Sequence, residues 1–326
     1  MGDLMKEFKT IDEQVEILRT RGLIIKNEDK LKRYLLNYNY YRLSGYSLKY
    51  RNKDTFKSYV YDEHLYQAFE CDEEMRLALF DLCFRVEMKL KTSIAYVLGE
   101  SGALSYLDDS NYNSLNTFDS VLGCYEKDKI LNQAFEYVKK NNAMIYDHHR
   151  TKYNGKYPIW VIIHFLSFGD TIKYFELLKD IDKNKIIIDF SKNIFSINDF
   201  DQCMIAINCL RNACAHGDRL INKGLSRQIP KYCFDYKCFT HLKNVSGLYQ
   251  KNSTNVYGYI IALVELLTDE KDVLNEFYNK LVLIFEKYYL IKTDDYGLVG
   301  EWGKNIKMDI NNFNRIKNIK HKYEDN

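Results

Sequence analysis

Proline is nearly missing from this chain, with two among 326 residues. Proline breaks helices more strongly than any other residue, so its scarcity leaves long helical stretches uninterrupted. No apolar run approaches the roughly 20 residues that span a bilayer, which argues against a membrane partner. Net charge is only +2, too little for a global field that gathers nucleic acid, so any polyanion site must be local. Eight cysteines stand at 71, 83, 124, 203, 209, 214, 233 and 238, with no Cys-x-x-Cys spacing among them. Several fall on apolar helical positions, so reduced, buried thiols are expected, with no metal and no cofactor. The opening "MGDLMKEFKT" has no signal-peptide pattern, and Lys6 replaces the Ser or Thr of a myristoylation signal. A soluble, cytoplasmic protein is the expectation. Repeats and low-complexity linkers are also missing.

What is present is helical pattern. Hydrophobic residues make up 46%, too many for disorder, and the class expected is all-α. Thr10 with Glu13 forms a capping box, and Gly22 stops that first helix. "DKLKRYLLNYNYYRLSGY" predicts a second helix ending near Ser44 and Gly45. Helical periodicity then runs from about Asp62 to Gly99, long enough that a kink or break is expected inside it. Residues 101 to 125 are loop-like, and a short helix covers 126 to 140. Pro158 opens a buried helix predicted to end at Gly169. "DTIKYFELLK" follows, and "KIIID" reads as helix or turn. "SINDFDQCMIAINCLRNACAH" is the central helix, capped by Ser196 and Asp199 and stopped by Gly217. Residues 231 to 250 are irregular, and 254–268 and 271–290 are amphipathic helices. The organisation expected is an N-terminal helical segment (1–60), a helical core (61–226) and a C-terminal helical extension (227–326).

The central helix ends in "CLRNACAHGDRL". Arg211, Asn212 and His216 interrupt a small-residue helix that could have used leucine. At ~100° per residue, Phe200, Cys203, Met204, Ile207, Leu210 and Cys214 make one apolar stripe, with Arg211 near its centre. Asn212 and His216 share another side with Ile205 and Cys209. A helix apolar on two sides is internal or covered by a partner. An arginine on a core side needs a carboxylate or a phosphate. Glu87 sits midway in the stripe Phe80, Cys83, Leu90, Ile94 and Val97 of the long helix, so a Glu87–Arg211 pair that steadies the arginine fork is expected. His216 lies in the last turn, where the helix dipole favours a cationic imidazole. The Arg-x(4–6)-His spacing by itself is weak. About one match arises by chance in a chain of this composition, and a second occurs at Arg315…His321.

Five ordered blocks are more specific: "TIDEQVEILRTRGLII", "YLLNYNYYRLSGY", "FRVEMKLKTSIAYVL", "YPIWVIIHFLSFG" and "LRNACAHGDRL". Together they resemble the Abi-like (AbiD/AbiF) proteins of bacterial abortive infection, within the HEPN superfamily. The resemblance implies an all-α HEPN-type bundle, a role in anti-phage defence and, in many members, a metal-independent endoribonuclease built across a homodimer. It makes Arg211, Asn212 and His216 the catalytic positions and Glu87, beside Arg85, a supporting one. His164 stands where such proteins carry an acidic residue. RNA would be the substrate, or a structured RNA would be held without being cut; a toxin–antitoxin-like system is compatible with either.

Two further groups could touch RNA. Tyr40, Tyr41, Arg42 and Tyr46 combine aromatic rings with a cation; packing of the N-terminal helices explains the tyrosines equally well. Lys317, Lys320 and Lys322 line a basic tail around the second Arg…His match.

Overall fold

The first two helices begin on side-chain caps. Thr10 and Glu13 close a reciprocal box at the start of α1 (Ile11–Thr20), and Gly22 follows with φ of 93°. Asn27 caps α2 (Glu28–Tyr38). The single helix expected from there to Gly45 is divided at Asn39. That residue adopts φ of 58°, and its side chain accepts the Arg42 amide at 2.9 Å to open α3 (Tyr40–Gly45). With ψ of 160° the residue lies outside the αL well, and the side-chain cap, which a glycine could not supply, stabilises the break.

The computed structural model describes residues 7–190, 196–230, 254–298, 301–307 and 310, and the fold is all-α. Two antiparallel pairs of two residues each, Arg51–Asn52 with Thr55–Phe56 and Phe118–Asp119 with Cys124–Tyr125, are turns dressed as strands. The long helix α4 (Asp62–Gly99) runs its 38 residues without the expected break. Length alone argued for a kink, but α4 is the axis on which most of the later helices pack. Tertiary burial stabilises a helix far more than its own propensity does.

Around that axis lie α5 (Glu126–Asn141), α6 (Ala143–Lys152) and the single turn α7 (Ile159–Ile162). The helix expected to end at Gly169 stops earlier, through a 3₁₀ turn at Ile163–Phe165. Ser167 then accepts the Asp170 amide and caps α8 (Phe168–Leu177). Gly169 is therefore inside a helix. A side-chain carbon there would lie 3.4 Å from Asn208 Nδ2, so it permits close approach of the helix that carries Asn208. The stretch with "KIIID" is helical, as α9 (Asp180–Phe190).

Ser196 caps α10 (Ile197–Ala215). Two C-terminal helices, α11 (Val256–Leu266) and α12 (Lys271–Lys287), follow among the described residues. Residues of α4, α8 to α10, α11 and α12 share one buried core. The N-terminal helices bury Val15, Leu18, Leu31, Leu35 and Leu43 in a smaller core against the start of α4. No helix of the described residues is long and apolar enough to cross a membrane.

Candidate active site

Two helices define the site. Glu87 lies beside Arg211 and Asp72 beside Leu220, so α10 runs antiparallel to α4. The predicted stripe of α10 is buried in full, from Phe200 to Cys214. Its second apolar side faces the chain itself. Cys209 Sγ lies 3.1 Å from Ser226 Oγ, Ile205 packs on the main core, and α11 packs on α10.

Arg211 is half-buried, with its guanidinium 5.7 Å from the centre of the Phe80 ring. Its Nε lies 3.6 Å from Glu87 Oε2, too far for a hydrogen bond. Both atoms are buried and make no hydrogen bond. The other Glu87 oxygen accepts Lys91 Nζ at 2.7 Å, and Lys91 also reaches the His164 carbonyl at 3.5 Å. Glu87 thus neighbours Arg211 as expected, but the steady partner of the carboxylate is Lys91. The arginine fork rests instead on Asn212, with Nη1 donating to Oδ1 at 3.1 Å. His164, the residue in place of the expected acid, is held below the ordinary imidazole range by partial burial and by Lys91.

His216 caps the end of α10. Its amide donates to the Asn212 carbonyl, Asp218 N to Ala213 O at 2.8 Å and Gly217 N to Cys214 O at 3.2 Å. These bonds, with Gly217 at φ of 70°, are a Schellman close. The His216 side chain is exposed, and none of the described residues engages its ring. Burial pushes the neighbouring Cys214 thiol up to about 12, so this cysteine stays protonated and is no nucleophile.

A buried carboxylate pins the chain just past the motif. Asp72 accepts the amides of Leu220 and Ile221, the hydroxyls of Tyr46 and Tyr296, and Arg76 Nη1 at 2.6 Å. Burial pushes its pKa up against the pull of Arg76 and those donors. Tyr46 at the end of α3, the post-motif loop and the C-terminal Tyr296 therefore meet on one side chain. Sequence reasoning missed Asp72, Arg76 and Lys91, although all three continue the buried stripe of α4 that carries Glu87. Charges recurring at helical spacing on a core face were the available signal.

The α3 segment reaches the motif as well. A side-chain carbon at Gly217 would fall 2.5 Å from Arg42 Nη2, and one at Gly45 would fall 3.9 Å from Arg219 Cδ. Tyr46 is core, and Tyr40 accepts from Arg21 at 2.9 Å. Tyr41 is 88% exposed. The packing explanation holds for Tyr40 and Tyr46 and leaves Tyr41 on the surface. Lys317, Lys320, Lys322 and the Arg315…His321 match lie outside the described residues.

A family model described as Abi-like protein matches residues 33–222, over half of the chain. The chain belongs to the Abi-like family. The match opens in α2 and closes beside the Asp72 anchor, so it contains α3, α4 and α10 entire. Membership of this Abi-like protein supports a role in abortive infection. No curated protein matches the chain, and no solved structure matches it.

Proposed function

We propose that this Abi-like protein is an endoribonuclease of HEPN type, acting in anti-phage defence through Arg211, Asn212 and His216. The observation that carries this reading is an exposed, unengaged imidazole one turn beyond a guanidinium whose hydrogen bond goes to the asparagine between them. RNA brings its own nucleophile, so the chemistry asks for a base, an acid and charge stabilisation, and needs no metal. One histidine cannot be base and acid at once. Two copies about a two-fold axis supply both.

One His216 takes the 2′-OH proton, and the 2′-oxygen attacks phosphorus. The P–O5′ bond breaks, and the His216 imidazolium of the second copy gives its proton to the 5′-oxygen. Arg211 balances charge on the phosphoryl oxygens, and Asn212 holds the arginine fork in line. The products are a 2′,3′-cyclic phosphate and a 5′-OH. Leu77 and Phe84 support a seat for the second copy, since both stand exposed on α4 either side of Phe80, the ring under Arg211.

Purified wild type and His216→Ala, incubated with total RNA in EDTA, test the reading. Cleavage by the wild type alone, leaving cyclic-phosphate ends, supports it. Tight binding with no cleavage would assign the same site to holding RNA.

A further inference from the structure

Arg42 and Arg219 interlock across the end of α10. Arg42, on α3, lies against Gly217; Arg219, in the loop after α10, lies against Gly45 of α3. Gly217 makes room for the Arg42 guanidinium, whereas a side-chain carbon at Gly45 would meet Arg219 at an ordinary van der Waals distance of 3.9 Å. A side chain at Gly217 would have to displace the Arg42 guanidinium, which occupies the space where a Cβ would stand. Both arginines are half-buried, and neither makes an ion pair with any described carboxylate. Arg42 packs its guanidinium 5.7 Å from the Phe69 ring and leaves a buried Nε without a hydrogen bond.

That pattern is uncommon for a purely structural arginine, which normally meets a carboxylate or carbonyl when partly desolvated. Arg76, one layer deeper, shows the ordinary solution, with Asp72 at 2.6 Å. Two forks without counter-ions beside an exposed imidazole suit an anion with several acceptor oxygens. Tyr41, on the same short helix and 88% exposed, adds a ring on which a base can stack. Phe69 and Phe80, the rings under Arg42 and Arg211, are about 16 Å apart along α4, so the two arginines serve different phosphates of one strand.

We infer that Arg42 and Arg219 form a backbone-phosphate clamp for single-stranded RNA, flanking His216, and that the N-terminal helices are thereby part of the RNA site. This rests on the proposed RNA function and deepens it. The clamp positions the strand; the chemistry stays with Arg211, Asn212 and His216.

The test uses full-length protein carrying His216→Ala, so that bound RNA is not cut, and a short fluorescein-labelled single-stranded RNA read by anisotropy across a salt series. Arg42→Gln and Arg219→Gln are each expected to weaken binding about tenfold and to lower the slope of log K against log salt by about 0.7, one phosphate contact on a single strand. Arg42→Lys keeps the charge without the planar fork, and so restores the slope while recovering affinity only in part. Thermal melts identify variants that fail to fold, and Arg219→Gln reads the clamp from the opposite segment should Arg42→Gln do so. Folded variants with unchanged affinity and slope overturn the clamp. So does wild-type-like RNA binding together with Arg42-dependent capture of labelled poly-glutamate, which would make the ligand an acidic protein. RNA that binds through both arginines but is never cut by protein with His216 intact leaves the clamp standing and removes the nuclease.

Discussion

Lys91 holds Glu87 at 2.7 Å, one turn along α4, while Arg211 stays 3.6 Å from the other oxygen of the same carboxylate. The Glu87 carboxylate is therefore hydrogen-bonded within α4 through one oxygen only, and Arg211 faces the other at ion-pair distance without a hydrogen bond. Removing the carboxylate strands Lys91 in the core. Glu87→Ala should cost about 3–5 kcal/mol by urea unfolding, the usual penalty for breaking a buried pair. Glu87→Gln retains an acceptor for Lys91 and should lose less than half of that. Equal losses would show that Lys91 does not depend on this acceptor.

Asp72 gathers donors from three distant parts of the chain. Asp72→Ala leaves Arg76 and several buried donors without an acceptor, so a loss of about 4 kcal/mol or more is expected. Hydrogen exchange adds a local readout. The Leu220 and Ile221 amides should lose protection before the rest of α10, and uniform loss along the helix would refute the idea of a local anchor.

Gly217 combines a left-handed backbone with the Arg42 contact. Gly217→Ala should destabilise by about 1 kcal/mol from backbone strain and should also displace Arg42. RNA affinity is then expected to fall to the level of Arg42→Gln. Unchanged affinity in a folded Gly217→Ala protein would mean the guanidinium need not lie there.

Leu77 and Phe84 are exposed apolar residues beside the Arg211 ring contact. Phe84→Glu should leave the melting temperature nearly unchanged, as surface substitutions do, yet convert a dimer to a monomer in sedimentation and abolish cleavage. A monomeric variant that still cuts RNA rules out a shared site.

Asp201, on α10, is pushed up to about 7 by burial and by the nearby Glu176, against the pull of Lys183. Its acid form is thus the one the folded state prefers. The stability this contributes is complete below the unfolded pKa near 3.8 and is lost as pH rises through about 7. Unfolding free energy should fall between about pH 4 and about pH 7 and level off above that, and Asp201→Asn should flatten that decline. An identical decline in the variant would assign the effect to another group.

The helices were legible because their signals are local. Capping pairs such as Thr10 with Glu13 and Ser196 with Asp199, and the apolar period of α10, act within one or two turns of the chain. The break at Asn39 and the early stop at Ser167 were equally local, but a polar residue that caps one helix reads on paper like a surface residue of a longer one. The span of α4, from Asp62 to Gly99, was legible from its periodicity, but its running without a break was not, since that depends on the helices packed around it.

The same division holds at the site. Sequence by itself determined that Arg211, Asn212 and His216 share the end of one helix, because residues one to five apart have no freedom to separate there. It also placed Glu87 on a buried face by periodicity. Only the tertiary structure decided that Lys91 hydrogen-bonds that carboxylate while Arg211 pairs with it at the longer distance of 3.6 Å, that Asp72 pins the loop beyond the motif, and that Arg42 arrives at Gly217 from the other end of the family match. Those contacts join residues far apart along the chain, and which partner wins a buried charge depends on ångström differences that periodicity does not carry.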